Sequence, residues 1–583
     1  MTTMTGGEVI ATMLKKEGVE KVFGIIDGTY FGLYSKFSDN GIELITPRHE
    51  ATAAHMAGAY ARLTGKLGVC IASSGPGVAN VLAGVAVENA EGNRVLLITS
   101  SRRTGIIHPD RGGAYQYFNQ VAVIKPMAKW SGSALSFGRI AELMRRALRV
   151  CYRGRPGVVH LDVPDDLMNG KGKADGLWSP HQYRRMSPIH PVPEQVNKAA
   201  NMLVKAELPV MHAGSGIIHS GAYEELASVA EILNAPVTTS WSARGVFPET
   251  SDLAWPMVHV KAVNHVRNTA DLVLCLGSRL GETDWWGKAP YWRLPAKQKL
   301  IQVDIDEEVL GVNKPTDLAI LADIKIFLSE LLERLRNMEP EIPKKSRQLK
   351  VANLAKERGK DRAKLDEKLS DRSAPMITGH VASVCREVFE DDAVVVFDGG
   401  NTAVWANFYH QVRVPNTQLS THHFGMLGAG VGQALGAAVA RPESRVYCII
   451  GDGAFGFHPQ EIETAVRNKL KVIFLVCCDK QWGMVKINQQ FALRPVKTMI
   501  KKSLGPEETI NTDLGEIEFD KLARAMGAHG ERVADPADLG PALERCIASN
   551  KCSVIHVDVH PVKHMWAPGL LQFKDMHQEP AGK

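Results

Sequence analysis

Short runs of continuous apolar residues recur along the chain, each bounded by glycine, proline or charged residues and separated by stretches of helical composition. Residues 21–25, 67–72, 94–99 and 157–163 form a first group. Residues 209–214, 236–239, 272–277 and 300–304 form a second, and 394–398, 446–450 and 471–478 a third. Runs this short, without period-two alternation, predict strands buried on both faces. Strands that alternate with helical segments predict parallel, doubly wound α/β sheets.

The grouping predicts three α/β domains, over 1–170, 190–335 and 375–565. Residues 169–176 (NGKGKADG) predict a polar, turn-rich linker after the first. Residues 336–374 are dense in charge and lack an apolar strand, which predicts a solvated helical connector. A tail rich in His, Pro and Met, 566–583, closes the chain. No internal repeat is visible in the residues themselves.

Composition narrows the class. A chain of 583 residues exceeds one core, and 45% hydrophobic with 23% charged residues is ordinary for a globular enzyme. The net charge of +6 comes without a dense basic block, so no nucleic-acid partner is expected. The nine cysteines include no C-x-x-C and lie largely in apolar runs, as reduced thiols of a cytoplasmic protein do. No apolar run approaches eighteen residues, and the start lacks the charge and apolar stretch of a signal peptide, so no membrane association is expected.

The chemistry concentrates in Gly451-Asp452-Gly453-Ala454-Phe455, which follows the apolar run 446–450. A strand ending in Gly-Asp-Gly carries a carboxylate on a tight turn whose backbone N–H groups can face an anion. The run 471–478 delivers a second carboxylate, Asp479, at its own C-terminal end. Two hard oxygen donors on adjacent strand ends beside a helix start predict a site for a divalent cation and a diphosphate.

This block, GDGAFGFHPQEIETAVRNKLKVIFLVCCDKQWGM, resembles the cofactor motif of thiamine-diphosphate enzymes, and the likeness spans nearly the whole chain, most of all with the acetolactate synthase and pyruvate oxidase branch. It implies pyrimidine-binding, central and diphosphate-binding domains in that order. It further implies Mg²⁺ held by Asp452, Asp479 and the Gln481 carbonyl, with Gly451, Gly453 and Ala454 in the cofactor turn. The family's paired Asn is here Cys478-Asp479, which keeps an oxygen ligand and adds a negative charge.

The resemblance assigns the proton-relaying carboxylate to Glu50, in Arg48-His49-Glu50; taken alone, a Glu opening a helix is a dipole-complementing residue. Gly75 lies in an SGPG loop against the cofactor. Gln116 matches a substrate-facing glutamine, the alternative being a loop amide. Asp27 replaces a family glycine and is expected to face the reacting centre. Asn401 and Thr402 take diphosphate-binding positions, where acetolactate synthases carry Gln-His. Gly425 and Leu427 match the turn that pairs with the aminopyrimidine and wedges between the two rings; Met426 is the wedge if the register slips by one. His108, His422 and His423 fall near the pocket without an assigned role.

The expected activity is C–C bond cleavage or carboligation with thiamine diphosphate and Mg²⁺: decarboxylation of a 2-oxo acid with acyl transfer to a second carbonyl. Alternatives are a lyase on 2-hydroxy ketones or 2-hydroxyacyl thioesters, and a non-catalytic regulatory protein of the same fold. Gly214-Ser215-Gly216 and Gly428-Ala429-Gly430-Val431-Gly432 are incomplete dinucleotide fingerprints, so bound FAD is not favoured and a nicotinamide oxidoreductase is disfavoured. The family's shared sites imply a homodimer at minimum, and a homotetramer as the larger assembly.

Overall fold

The computed structural model describes residues 2–570; Met1 and the tail from 571 onward lie outside the described residues. Three six-stranded sheets carry the architecture, with every strand pair inside them parallel. The expected α/β class of three doubly wound domains is therefore what the chain adopts.

The first sheet runs, in space, Glu43–Ile45, Lys21–Gly24, Gly68–Ala72, Val95–Ser101, Val158–Pro164, Trp130–Ser133. The third runs Gln418–Leu419, Val394–Asp398, Val446–Gly451, Val472–Cys478, Ser553–Asp558, His529–Val533. Counting strands along the chain, both have the order 2-1-3-4-6-5. The central sheet runs Ala254–Trp255, Val237–Thr239, Pro209–Ala213, Leu272–Leu276, Lys299–Asp304, Leu318–Leu321, which is 3-2-1-4-5-6. In each sheet the order reverses beside the first strand, and such switch points open a crevice at the C-terminal strand ends.

The central strands are buried along their whole length, as their uninterrupted apolar sequences require. The first and third domains share a core. The helix Glu50–Thr64 packs on Ala429–Ala440, where a Cβ on Gly436 would stand 2.5 Å from the Met56 carbonyl oxygen. Only glycine lets these two backbones approach so closely.

Two expectations are corrected. Residues 169–176 are not a plain linker: Lys171–Lys173 pairs antiparallel with Thr3–Thr5, whose last residue caps the helix Gly6–Lys16 in a capping box with Glu8. The ladder uses backbone groups, so a polar, glycine-rich sequence does not prevent it. The connector contains a helix, Lys344–Lys368, but its first half is docked rather than solvated. Arg347 is buried there and donates to the carbonyls of Leu203, Val204, Ala206 and Leu233 at 2.7–3.1 Å, with Val351 and Leu354 packed beside it.

Candidate functional site

Residues at the switch point of the third sheet converge as their strand ends dictate. Val446–Gly451 ends at Asp452, whose two oxygens accept the Gly453 and Lys480 N–H groups at 2.8 Å each. Val472–Cys478 delivers Asp479, which accepts from Gln481 Nε2 at 3.0 Å. Between them Asn401, opening the helix Gly400–Tyr409, is 4% exposed, and neither its Oδ1 nor its Nδ2 has a hydrogen-bond partner. A Cβ on Gly483 would stand 2.8 Å from Asn401 Nδ2 and 3.0 Å from Asp479 Oδ2, so Gly483 keeps this space open. On Gly451 a Cβ would meet Thr402 Oγ1 at 3.0 Å, and on Gly453 it would meet the Trp482 ring at 2.6 Å. Ala454 is buried in the short helix Asp452–Phe455. The Gln481 carbonyl accepts the Gly483 N–H at 2.9 Å and keeps a second lone pair. Burial pushes both Asp452 and Asp479 above the ordinary carboxylate range, and the charge of Asp479 adds to the rise at Asp452.

Two residues here went unread in the sequence. His564, in Pro561–Met565, is buried against Thr378, Thr402 and Asp479, at 2.5, 3.4 and 3.9 Å, and burial lowers it to about 4, so the ring is neutral. Asp398 accepts the N–H groups of Gly399 (2.5 Å) and Gly430 (2.8 Å), tying the first strand end to the 425–430 turn. An acid closing the apolar run 394–398 was the signal for Asp398; His564 offered none, because its neighbours are far away in sequence.

At the first sheet's switch point, Glu50 is the first residue of its helix, 7% exposed, and accepts a hydrogen bond from Asn80 Nδ2 at 3.0 Å. Among the described residues no hydrogen bond joins it to Asn401, Asp452 or Asp479. Gly75 has φ +66°, and a Cβ there would stand 2.4 Å from the Gln116 carbonyl oxygen. Gln116 therefore contributes backbone to this loop, while its side chain is exposed in the single chain. Four positions on, Gln120 is the buried amide: it donates to Asp162 Oδ1 (2.5 Å) and the Ser100 carbonyl (2.7 Å) and accepts from Gly75 N–H (3.5 Å). Asp162 also accepts from Thr99, Ser101 and Ser133. An acid inside the apolar run 157–163 was the signal for this network. Asp27 caps the turn Gly28–Tyr30, accepting both the N–H (2.8 Å) and the hydroxyl (2.6 Å) of Thr29, so one oxygen is already committed.

The first and third domains are joined beside these points mainly through side chains. Arg48 N–H donates to Glu461 at 3.0 and 3.1 Å, Arg48 pairs with Glu463 at 2.8 Å, and the His49 and His458 rings lie 5.1 Å apart. Glu91 accepts the N–H groups of His423 and Phe424 at 2.7 and 3.2 Å. His423 Nε2 meets Ser242 Oγ of the central domain at 3.0 Å, and the His422 ring lies tilted 6.1 Å from that of Trp241; burial keeps both histidine rings neutral. His108 is exposed. Gly425 has φ +65° with open space around it, and Leu427 is half-buried against the shared core.

Three family models match this chain in the order of the three sheets. The N-terminal TPP binding domain of thiamine pyrophosphate enzymes matches residues 4–123, their central domain 196–331 and their C-terminal TPP binding domain 398–557. The chain belongs to the thiamine pyrophosphate enzyme family. It is 29% identical to a probable acetolactate synthase large subunit of Methanocaldococcus jannaschii over 575 residues, covering 96% of this chain and 93% of that protein. It is 27% identical to the acetolactate synthase isozyme 3 large subunit of Escherichia coli K12 over 578 residues, covering 97% and 96%. To an acetolactate synthase of Mycobacterium bovis it is 29% identical over 563 residues, covering 95% and 87%.

The residues at the third switch point fit what a thiamine pyrophosphate enzyme must hold. A buried carboxylate, Asp479, and a half-buried one, Asp452, whose proton affinity the charge of Asp479 raises, form with a free carbonyl lone pair a hard oxygen donor set for a divalent cation. The orphaned amide of Asn401 at a helix start, in a space a Cβ would fill, suits a phosphate oxygen. A cavity of about 670 Å³ lies where the central domain of this thiamine pyrophosphate enzyme meets the other two, lined by Gly214, Gly216, Gly277 and Asp304 of the central domain, Arg155 of the first and His423 of the third. No helix among the described residues is long and apolar enough to cross a membrane.

Proposed function

We propose that this protein cleaves and forms C–C bonds in the manner of the acetolactate synthases it is similar to: a 2-oxo acid is decarboxylated and its acyl unit transferred to a second carbonyl. The observation that carries the reading is the Asn401, Asp452 and Asp479 cluster at a sheet switch point, with Glu50 at the equivalent point of the first sheet.

Asp452, Asp479 and the Gln481 carbonyl would hold Mg²⁺, and Asn401 and Thr402 the diphosphate. Thiamine diphosphate, when bound, supplies an electron sink beside a carbonyl. The chain's own part is orientation, exclusion of water and proton movement. Glu50 would hold and release a proton at its carboxylate, with Asn80 fixing the side chain. Leu427 would shape the apolar wall. Gln116, exposed in one chain, would face the substrate only where a second chain covers it. Asp27 keeps one oxygen for the pocket.

Within one chain Glu50 bonds inside its own domain, to Asn80, which fits a site shared between two chains and hence a homodimer at minimum. Mixing Glu50→Gln with Asp452→Ala protein tests this: shared sites restore about a quarter of wild-type activity after exchange of subunits. Sites built from one chain restore none.

The central cavity supports an adenine nucleotide, since the close-packed Gly214, Gly216 and Gly277 leave backbone open to it and Asp304 offers a carboxylate at a strand end. Visible flavin absorbance in the purified protein distinguishes FAD from a colourless nucleotide. For the reaction, mass spectrometry of 2-oxo acids, acyloins and 2-hydroxyacyl thioesters incubated with thiamine diphosphate and Mg²⁺ decides. Consumption of a 2-oxo acid with appearance of the ligated product is expected, and turnover of thioesters alone would replace this reading with a lyase.

A further inference from the structure

A second cavity, about 500 Å³, lies away from both cofactor-sized spaces, where the central domain, the connector helix and the third domain meet. Five arginines line it: Arg244, Arg358, Arg362, Arg386 and Arg413. Arg244 is committed, paired with Glu249 at 2.7 Å and bonded to Asn407 and the His410 carbonyl. The others hold only part of their capacity. Arg386 is 6% exposed; its recorded bonds all leave from Nη2, and its buried Nε has no partner. Arg358 and Arg362 stand one turn apart on Lys344–Lys368 and donate to the carbonyls of Ala254 and Phe408. Glu249 and Glu387 also line the cavity, Glu249 taken up by Arg244; the acids paired with the other arginines are exposed, Asp252 fully and Asp366 and Asp391 by about half, where water screens them.

Two further observations concern the cavity wall. His259 is 9% exposed, lines the cavity, and its ring makes no hydrogen bond among the described residues. Burial first, and then the charges of Arg362, Arg244 and Arg358 against that of Asp366, hold it down at about 4. Gly359, exposed between the two helix arginines, borders the cavity, and a Cβ on it would meet nothing within 4 Å, so a side chain fits there. Glycine is costly in mid-helix, and here no packing demands it. The guanidinium forks present the geometry that binds phosphoryl or carboxylate oxygens.

We propose that this cavity is a binding site for a small organic anion carrying phosphoryl or carboxylate groups, which bridges the central domain, the connector helix and the third domain. Its occupant would be distinct from the cofactors held at the switch points.

The test uses the full chain with saturating thiamine diphosphate and Mg²⁺, so that the diphosphate site is filled. Glycerol phosphate and tricarballylate are titrated against sodium chloride of equal ionic strength, reading the melting temperature and binding heat. A saturable rise in melting temperature with at least one of the two anions is expected, and which one acts separates phosphate from carboxylate recognition. Gly359→Glu places a carboxylate in the cavity on a good helix former, and Arg386→Gln removes a fork; both are expected to weaken binding at least tenfold. Unfolding of Arg386→Gln would leave Gly359→Glu to decide. No saturable response to either anion, or an equal response in wild type and Gly359→Glu, overturns the proposal.

Discussion

Glu91, at the end of the helix Pro76–Glu91 in the first domain, accepts the backbone N–H of His423 in the third at 2.7 Å, and burial pushes its carboxyl up to about 7. Between its ordinary value near 4.3 and that raised value, the folded chain holds a proton the unfolded chain gives up. Stability therefore falls as pH rises through this window, by at most about 1.4 kcal/mol per pH unit, and levels off above it. Glu91→Gln keeps an acceptor for His423 without titrating. Thermal melts over this window should show a flatter pH dependence in the variant; superimposable slopes would assign the effect elsewhere.

Glu50→Gln preserves size and hydrogen bonding to Asn80 but cannot exchange a proton. Turnover is expected to fall by about 10²–10⁴ while thiamine diphosphate still binds, as general-base loss predicts. Steady-state kinetics beside cofactor titration separate the two, and wild-type turnover would remove Glu50 from the mechanism.

Asp479→Ala deletes the buried carboxylate of the pair. Half-saturation by Mg²⁺ should rise by more than the roughly 10–100-fold that loss of a supporting partner costs. Unchanged metal dependence in activity and in calorimetry would exclude Asp479 as a ligand.

Arg347→Met removes the pin between the connector helix and four carbonyls of the central domain. Bonds to a charged donor and the acceptors left behind argue for a loss of about 3 kcal/mol or more. Urea unfolding should show a lower midpoint for the variant, and a midpoint within error of wild type would mean water takes over these carbonyls.

The strands were legible because parallel sheets buried on both faces demand unbroken apolar runs, and Asp452 and Asp479 stood out because each closes such a run. Glu50 was visible only through resemblance, since a glutamate opening a helix has a commoner explanation. Gln120, Asp162, Glu91 and His564 were not legible as a set. Each acts through partners on other strands or in another domain, and single-residue types carry no record of pairing. The likeness of the first and third sheets escaped for a different reason: it lies in strand order, while the residues filling those strands differ.

That likeness reaches the contact between the two domains. Glu50–Thr64 follows the second strand of its sheet and leads to the third, and Ala429–Ala440 does the same in the other sheet. The helices that pack on each other through Gly432 and Gly436 are thus counterparts. One polypeptide makes with itself the self-matching contact that identical subunits make across a dyad. A bulky change at Gly432 or Gly436 consequently drives the counterpart helix away at Thr52, His55 and Met56, and so strains both sheets at once.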